Sequence, residues 1–121
     1  MKLTNNQIFH LYEGLNILKS NKELPIKVSF ALLQNIKTIE PIYQSVITLR
    51  DNLAMENGDV NEKGFVSIHP EKIAFVNKEL AALGAEETEV NLRMIKLSDI
   101  EDINMSIEDL ASLEIIISED E

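Results

Sequence analysis

The sequence predicts a mainly α fold with a small β element, that is, an α+β single domain covering residues 1–121. Three observations support this class. Three stretches place apolar residues at alternating spacings of three and four, the spacing changes toward two after Gly84, and 121 residues suffice for one core but not for two. We therefore expect a helical body over residues 1–84 and an acidic extension over residues 85–121 that contains a strand and a short helix.

The first helix is predicted to begin at Thr4. The segment Thr4-Asn5-Asn6-Gln7 has the form of a capping box, in which the Thr4 hydroxyl accepts from the Gln7 amide and the Gln7 side chain returns to Thr4. The apolar residues that follow lie on one side of an α-helix: Ile8, Leu11, Leu15 and Leu18. Leu24-Pro25 then favours a turn before the next element.

A long helix is predicted from about Ile26 to Glu56. Its seam positions alternate at spacings of four and three, as in a coiled coil: Leu32, Ile36, Ile39, Tyr43, Val46, Arg50 and Leu53. Pro41 removes one amide donor inside this run, so we expect either one kinked helix or two abutting helices. Asn57-Gly58-Asp59 is expected to end the run through a residue in the left-handed conformation.

A short strand is predicted within residues 63–68, followed by a third helix whose first residue is Pro70 and which His69 helps to cap. The core-facing stripe of this helix is Ile73, Val76, Leu80 and Leu83, and Gly84 is expected to end it. The simplest packing forms an antiparallel three-helix arrangement around the long helix. Helix one covers its first half and helix three its second half, with Pro41 near the changeover.

The C-terminal extension is predicted to contain a strand and a short helix. From Glu89 to Met94 apolar and polar residues alternate, and Ile95 and Leu97 continue the apolar trend, which is typical of a half-buried strand. Ser106 is placed to cap a last helix that runs through Leu110 and Leu113. Residues 115–117 are compatible with a strand or with the end of that helix, and the tail, residues 118–121, is expected to be frayed.

The formal charge of −10 lies entirely in the last third of the chain. Residues 1–84 carry nine acidic and nine basic residues, whereas residues 85–121 carry twelve acidic residues against Arg93 and Lys96. Because such a surface repels phosphate backbones, we expect no direct nucleic-acid binding. Two interpretations stay open: a solvated face that gives solubility, or a face that docks on a basic partner. Its candidate residues are Glu101, Asp102, Glu108 and Asp109.

No membrane association is expected, because no run approaches the roughly 18 apolar residues of a membrane helix and the surface charge repels anionic lipids. Residues 1–6 enter an amphipathic pattern and lack the continuous apolar region of a secretory signal. The sequence therefore favours an intracellular protein.

The sequence contains no assembled set of catalytic, cofactor-binding or metal-binding residues. Cysteine is absent, which excludes disulfides, thiol nucleophiles and cysteine-based zinc sites. The two histidines, His10 and His69, are far apart along the chain. The loop that begins at Asp59 fails as a calcium site, because Lys63 and Pro70 occupy positions where oxygen ligands are needed. The prediction is a protein that is not an enzyme and binds no cofactor or metal.

The first helix has a second apolar face. On an ideal helix Phe9 points about 150° and Ile17 about 130° away from the stripe that ends at Leu18. Either the C-terminal strand and last helix cover this face, or Phe9, Tyr12 and Ile17 form part of a homo-oligomer or partner surface.

Several segments resemble an uncharacterised family of small proteins from tailed phages and prophages of low-GC Gram-positive bacteria. These segments are Met1-Lys2-Leu3-Thr4-Asn5, Gly14-Leu15-Asn16, Leu24-Pro25-Ile26-Lys27-Val28 and Glu89-Val90-Asn91. The resemblance spans most of the chain. It implies a viral origin, hence a place in the host cytoplasm or the virion, and it brings no catalytic residues with it.

Two functional hypotheses follow from these features. The first is a non-enzymatic phage protein that assembles with itself or with other phage proteins through the long seam and the second face of helix one. The alternative is an acidic inhibitor that uses the last third of the chain to occupy a basic surface of a host defence or nucleic-acid-processing protein. The first predicts an oligomer that persists in high salt, and the second a complex that salt weakens.

Overall fold

The computed structural model describes residues 1–21 and 23–119 and confirms the predicted class, mainly α with a small β element. The described residues form four α-helices: α1 (Asn5–Lys19), α2 (Ile26–Glu56), α3 (Ile73–Ala85) and α4 (Ile107–Leu113). They also form six short strands: β1 (Lys2–Thr4), β2 (Gly58–Val60), β3 (Val66–Ile68), β4 (Glu87–Glu89), β5 (Ile95–Lys96) and β6 (Ile117–Ser118).

Helix α1 begins and packs as its sequence predicts. The Gln7 amide donates to Thr4 Oγ1 at 3.1 Å, and the Thr4 amide donates to Gln7 Oε1 at 2.8 Å, which completes the capping box. The predicted stripe is fully buried or nearly so: Ile8, Leu11, Leu15 and Leu18. These side chains form the centre of the hydrophobic core.

Helix α2 is one continuous helix through Pro41, which decides between the two alternatives that the sequence left open. Pro41 lies on the exposed side of α2, and its carbonyl accepts from Ser45 Oγ at 3.0 Å. The seam is buried at Leu32, Ile39 and Val46. Beyond Val46 no residue of α2 is buried, so the remainder of the helix projects past the core.

The end of α2 is made differently from the prediction. Asn57 has φ −119°, and among the described residues a positive φ occurs at Gly64 alone, so no left-handed residue caps the helix. Gly58 instead begins β2, which pairs antiparallel with β3. A side chain at Gly58 would collide with the Ser67 carbonyl. The segment that resembled a calcium loop is therefore the turn of a β-hairpin.

Pro70, predicted as the first residue of the third helix, begins a 3-10 turn (Pro70–Lys72) instead, and α3 follows directly after this turn. Two further details of the prediction were wrong. The His69 side chain makes no capping hydrogen bond, and its Nε2 lies 3.6 Å from Asp59 Oδ1. Ile73, predicted to face the core, is 47% exposed, since α3 contributes no residue to the hydrophobic core.

The strand predicted from Glu89 onward is not formed over residues 90–94, and strand structure occurs only toward its ends, in β4 at Glu89 and in β5 at Ile95. β4 pairs antiparallel with β1, and β5 pairs parallel with β6. Between them, the backbone of Arg93 is held by a side chain: the Arg93 amide donates to Asn35 Oδ1 at 2.7 Å, and Asn35 Nδ2 donates to the Arg93 carbonyl at 3.0 Å. A side-chain amide of α2 thus takes the hydrogen bonds that a neighbouring strand would have made.

Helix α4 begins at the predicted cap, where the Asp109 amide donates to Ser106 Oγ at 3.0 Å. A 3-10 turn (Glu114–Ile116) and then β6 follow, which decides the open assignment of residues 115–117. α4 packs on α1 at Gly14, where an added side chain would meet Ser112. Of the tail predicted to be frayed, Ser118 belongs to β6, and residues 120–121 lie outside the described residues.

The core lies at one end of the molecule. It is built from α1, residues 28–42 of α2, β1, residues 90–105 and α4 with the turn after it. α1 lies along α2 as predicted but reaches past Pro41, since Phe9 contacts Tyr43 and Arg50. The remainder, residues 47–85, comprises the end of α2, the β-hairpin and α3, and we call it the distal lobe.

Candidate interaction surfaces

Within the described ranges, the side chains assemble no recognisable reactive centre. No group of three or more His, Asp or Glu residues there is placed to hold a metal ion. His10 is exposed on α1, and His69 lies at the start of the 3-10 turn before α3. None of the helices in this part of the chain is long and apolar enough to cross a membrane. The surfaces are therefore the features that bear on function.

Phe9 and Tyr12, two of the predicted partner-binding residues, are half-buried and pack against α2. The Tyr12 and Tyr43 rings stack with centroids 4.1 Å apart, and the Phe9 ring lies 4.6 Å from Tyr43. The Arg50 guanidinium lies 5.7 Å from the Phe9 centroid. The second face of α1 is thus covered by α2 rather than by the C-terminal segment. Ile17 remains 49% exposed.

The four predicted acidic contact residues fall into two pairs. Glu101 and Asp102 are exposed in the turn that follows a 3-10 segment, Leu97–Asp99. Glu108 and Asp109 occupy the first turn of α4, where carboxylates stabilise the positive end of the helix dipole. The second pair therefore has a local structural role, whether or not it also contacts a partner.

The distal lobe carries exposed apolar side chains that the sequence analysis did not single out. Over residues 47–85, Asn57, Val76 and Gly84 are the buried positions. Large apolar residues in the same segment are roughly half exposed or more: Leu49, Met55, Val60, Phe65, Ile73 and Phe75. The sequence does contain a signal for this surface, because α3 is apolar outside its stripe as well. An amphipathic surface helix would have a polar residue at the position of Phe75.

The outward face of α3 has a regular composition. Phe75, Lys78, Glu79 and Ala82 are all exposed and follow the spacing i, i+3, i+4, i+7, so they form one continuous helical face. Within that face a large ring lies at one end, a small side chain at the other, and two opposite charges between them.

A groove at the start of α2 is lined by basic residues. It is a cavity of about 280 Å³ between the first turns of α2 and residues 93–99, with Lys27, Arg93 and Lys96 among its lining residues. Its floor is apolar and buried: Val28, Ala31 and Ile95. Phe30 and Met94 line it as well and are each 49% exposed. We call this cavity the basic groove.

Comparison with known proteins adds no relative to this description. No protein family, curated protein or solved structure matches the chain.

Proposed function

We propose that this chain is a non-enzymatic phage or prophage protein that self-assembles, with a second copy of the chain docking on α3 of the distal lobe. One observation carries the proposal. α3 is apolar around most of its circumference, yet within it only Val76 and Gly84 are buried. A helix that is apolar all round is normally enclosed on all sides, and here one chain alone does not enclose it.

The surrounding surface supports docking of a protein. Single exposed apolar residues are common on soluble proteins, whereas larger groups of them are typical of an interface. The end of α2, the hairpin and α3 each contribute such residues: Leu49, Met55, Val60, Phe65, Ile73 and Phe75. Removal of this apolar surface from water favours assembly, and the gain has to exceed the entropy cost of association.

A second copy fits this face because the face is complementary to itself. Consider two α3 helices packed antiparallel around a two-fold axis that passes between Lys78 and Glu79. Phe75 of one copy then lies opposite Ala82 of the other, which pairs a large side chain with a small one. Lys78 lies opposite Glu79 twice, once on each side of the axis. An isologous dimer requires this kind of self-complementarity.

The phage setting rests on the resemblance of the N-terminal and central segments to small tailed-phage proteins. In that setting the protein acts in the host cytoplasm or in the virion, through protein contacts rather than through nucleic acid. The net charge of −10 supports action through protein contacts rather than through nucleic acid, since it repels phosphate backbones.

Charge reversal on α3 tests the proposal. Lys78→Glu and Glu79→Lys each place like charges opposite one another twice, and each is expected to weaken self-association about tenfold or more. The double variant Lys78→Glu/Glu79→Lys restores opposite charges and is expected to restore association. Lys37→Glu, an exposed site on α2, is the matched control. Mass would be measured by analytical ultracentrifugation over a range of protein concentrations.

Phe75→Ala is a second test that separates assembly from folding. Because Phe75 is 48% exposed in one chain, its loss should leave the thermal unfolding of the monomer nearly unchanged while it weakens association. A wild-type chain that stays monomeric at high concentration, or a double variant that associates no better than the singles, would contradict the proposal. A monomer that binds a basic host protein in a salt-sensitive manner would support the acidic-inhibitor alternative instead.

A further inference from the structure

The basic groove is built around a cation that the fold holds in place. Asn35, 1% exposed on α2, binds both the amide and the carbonyl of Arg93, at 2.7 and 3.0 Å. The Arg93 guanidinium lies 4.9 Å from the centroid of the Phe30 ring. Both the backbone and the side chain of Arg93 are therefore positioned before any ligand arrives, which lowers the entropy cost of using this residue in recognition.

The charge of the groove contrasts with that of its surroundings. Arg93 and Lys96 are the two basic residues among residues 85–121, and both line this one groove together with Lys27. Asp99 is the acidic residue in the lining, and its carboxylate lies 3.2 Å from Lys27 Nζ. The Lys27 side chain is 65% exposed, so this ion pair is weak and Lys27 can exchange it for another carboxylate.

The apolar lining specifies more than an anion. Val28, Ala31 and Ile95 form a buried floor, and Ile26 beside the groove is 85% exposed. A cavity of about 280 Å³ lies just below the usual range for small-molecule sites, so it suits a side chain or a short segment rather than a whole cofactor. The ligand chemistry that matches is acidic and apolar together.

We infer that the basic groove binds an acidic peptide segment of a partner protein, with an apolar side chain on the groove floor and flanking carboxylates on Arg93, Lys96 and Lys27. A nucleic acid fits less well, because it carries a charge at every nucleotide and so meets more repulsion from the acidic remainder of the surface than a short peptide does, and because the groove offers its bases one ring, Phe30. None of the residues that line the groove belongs to the distal lobe, so this binding does not depend on the proposed self-assembly.

Three synthetic peptides of about ten residues test the inference by fluorescence anisotropy. The first alternates glutamate with leucine and phenylalanine, the second replaces glutamate with glutamine, and the third replaces the apolar residues with alanine. Only the first should bind saturably, and raising salt from about 0.05 to 0.5 M should weaken it strongly, since screening shortens the Debye length. A single-stranded oligonucleotide of similar length is the fourth probe and should bind more weakly than the first peptide.

Variants of the chain locate the site. Arg93→Gln should weaken binding of the first peptide about tenfold, the usual effect of losing a hydrogen bond to a charged group. Lys37→Gln, the same charge change elsewhere on α2, should alter it less than about twofold. Asp99→Asn removes the competing carboxylate and should tighten binding about threefold. Thermal unfolding monitored by circular dichroism confirms that each variant folds.

Four results would overturn the inference. These are equal binding of the first two peptides, equal binding of the first and third, tighter binding of the oligonucleotide, and the same affinity for Arg93→Gln as for Lys37→Gln. The oligomeric state of the chain affects none of these comparisons, so their failure is distinguishable from failure of the proposed assembly.

Discussion

Asn35→Ala is expected to lower the free energy of unfolding by about 2–4 kcal/mol. Asn35 is 1% exposed and makes two hydrogen bonds to the backbone of Arg93. Each backbone group left without a partner costs about 1–3 kcal/mol when buried, and less here because Arg93 itself is exposed to water. The small cavity adds to this cost, whereas the higher helix propensity of alanine returns about 0.5 kcal/mol.

Urea unfolding monitored by circular dichroism measures this difference. With a slope of about 2 kcal/mol per molar urea, within the typical range, the expected loss moves the midpoint by roughly 1–2 M. Asn52→Ala makes the same chemical change at an exposed site of α2 and should stay within about 0.5 kcal/mol of the wild type. In hydrogen exchange, the Arg93 amide should be protected in the wild type and exposed in Asn35→Ala. Equal stabilities of the two variants, with equal slopes, would refute the reasoning.

Two further predictions concern α1. Gly14→Ala should lower the free energy of unfolding by about 1–2 kcal/mol, because the new side chain would lie 3.0 Å from Ser112 Cβ and this overpacking outweighs the roughly 1 kcal/mol gain in helix propensity. Ser112→Ala should recover part of the loss. Strictly additive shifts in the urea midpoint for the two substitutions would argue against the close contact. In a double-mutant cycle, Phe9→Ala and Tyr43→Ala should show a coupling of about 0.5–1.5 kcal/mol in the free energy of unfolding, with no change in sedimentation. A changed oligomeric state without such coupling would instead indicate that Phe9 belongs to a partner surface.

The features that the sequence predicts well are settled within one or two helical turns. The capping box at Thr4 and the cap at Ser106 join residues three positions apart, and the stripe of α1 depends only on helical periodicity. Each can be recognised without knowledge of the remainder of the chain. The existence, order and type of the helices follow for the same reason.

The features that it misses depend on partners far along the chain. The strand predicted over residues 90–94 has suitable alternation, but its backbone pairs with Asn35, 58 positions earlier. β2 was missed because Gly58 and Asp59 have low strand propensity and become part of a strand only when β3 lies beside them. Tertiary contacts outweigh local propensity at both places.

The candidate surfaces were harder to predict than the fold. The sequence leaves Phe9 and Tyr12 either to the C-terminal segment or to a partner, because they lie off the α1 stripe, and the rotation of α2 that brings Tyr43 against them cannot be derived from periodicity alone. Phe75 was overlooked for the converse reason. The stripe of α3 predicts which side of the helix faces the core, but it does not predict whether an apolar residue outside the stripe, such as Phe75, is covered by another part of the chain.

The pairing of β1 with β4 also constrains how the protein is made. The Val90 amide donates to the Met1 carbonyl at 2.8 Å, and the Asn5 amide donates to the Glu86 carbonyl at 2.9 Å. At roughly 5–20 residues per second, a ribosome needs about 4–18 s to add the 89 positions that separate Met1 from Val90. For most of that interval the apolar stripe of α1 has been translated but lacks part of the packing that covers it in the folded protein. The nascent chain is therefore accessible to chaperones and to other chains being translated from the same mRNA.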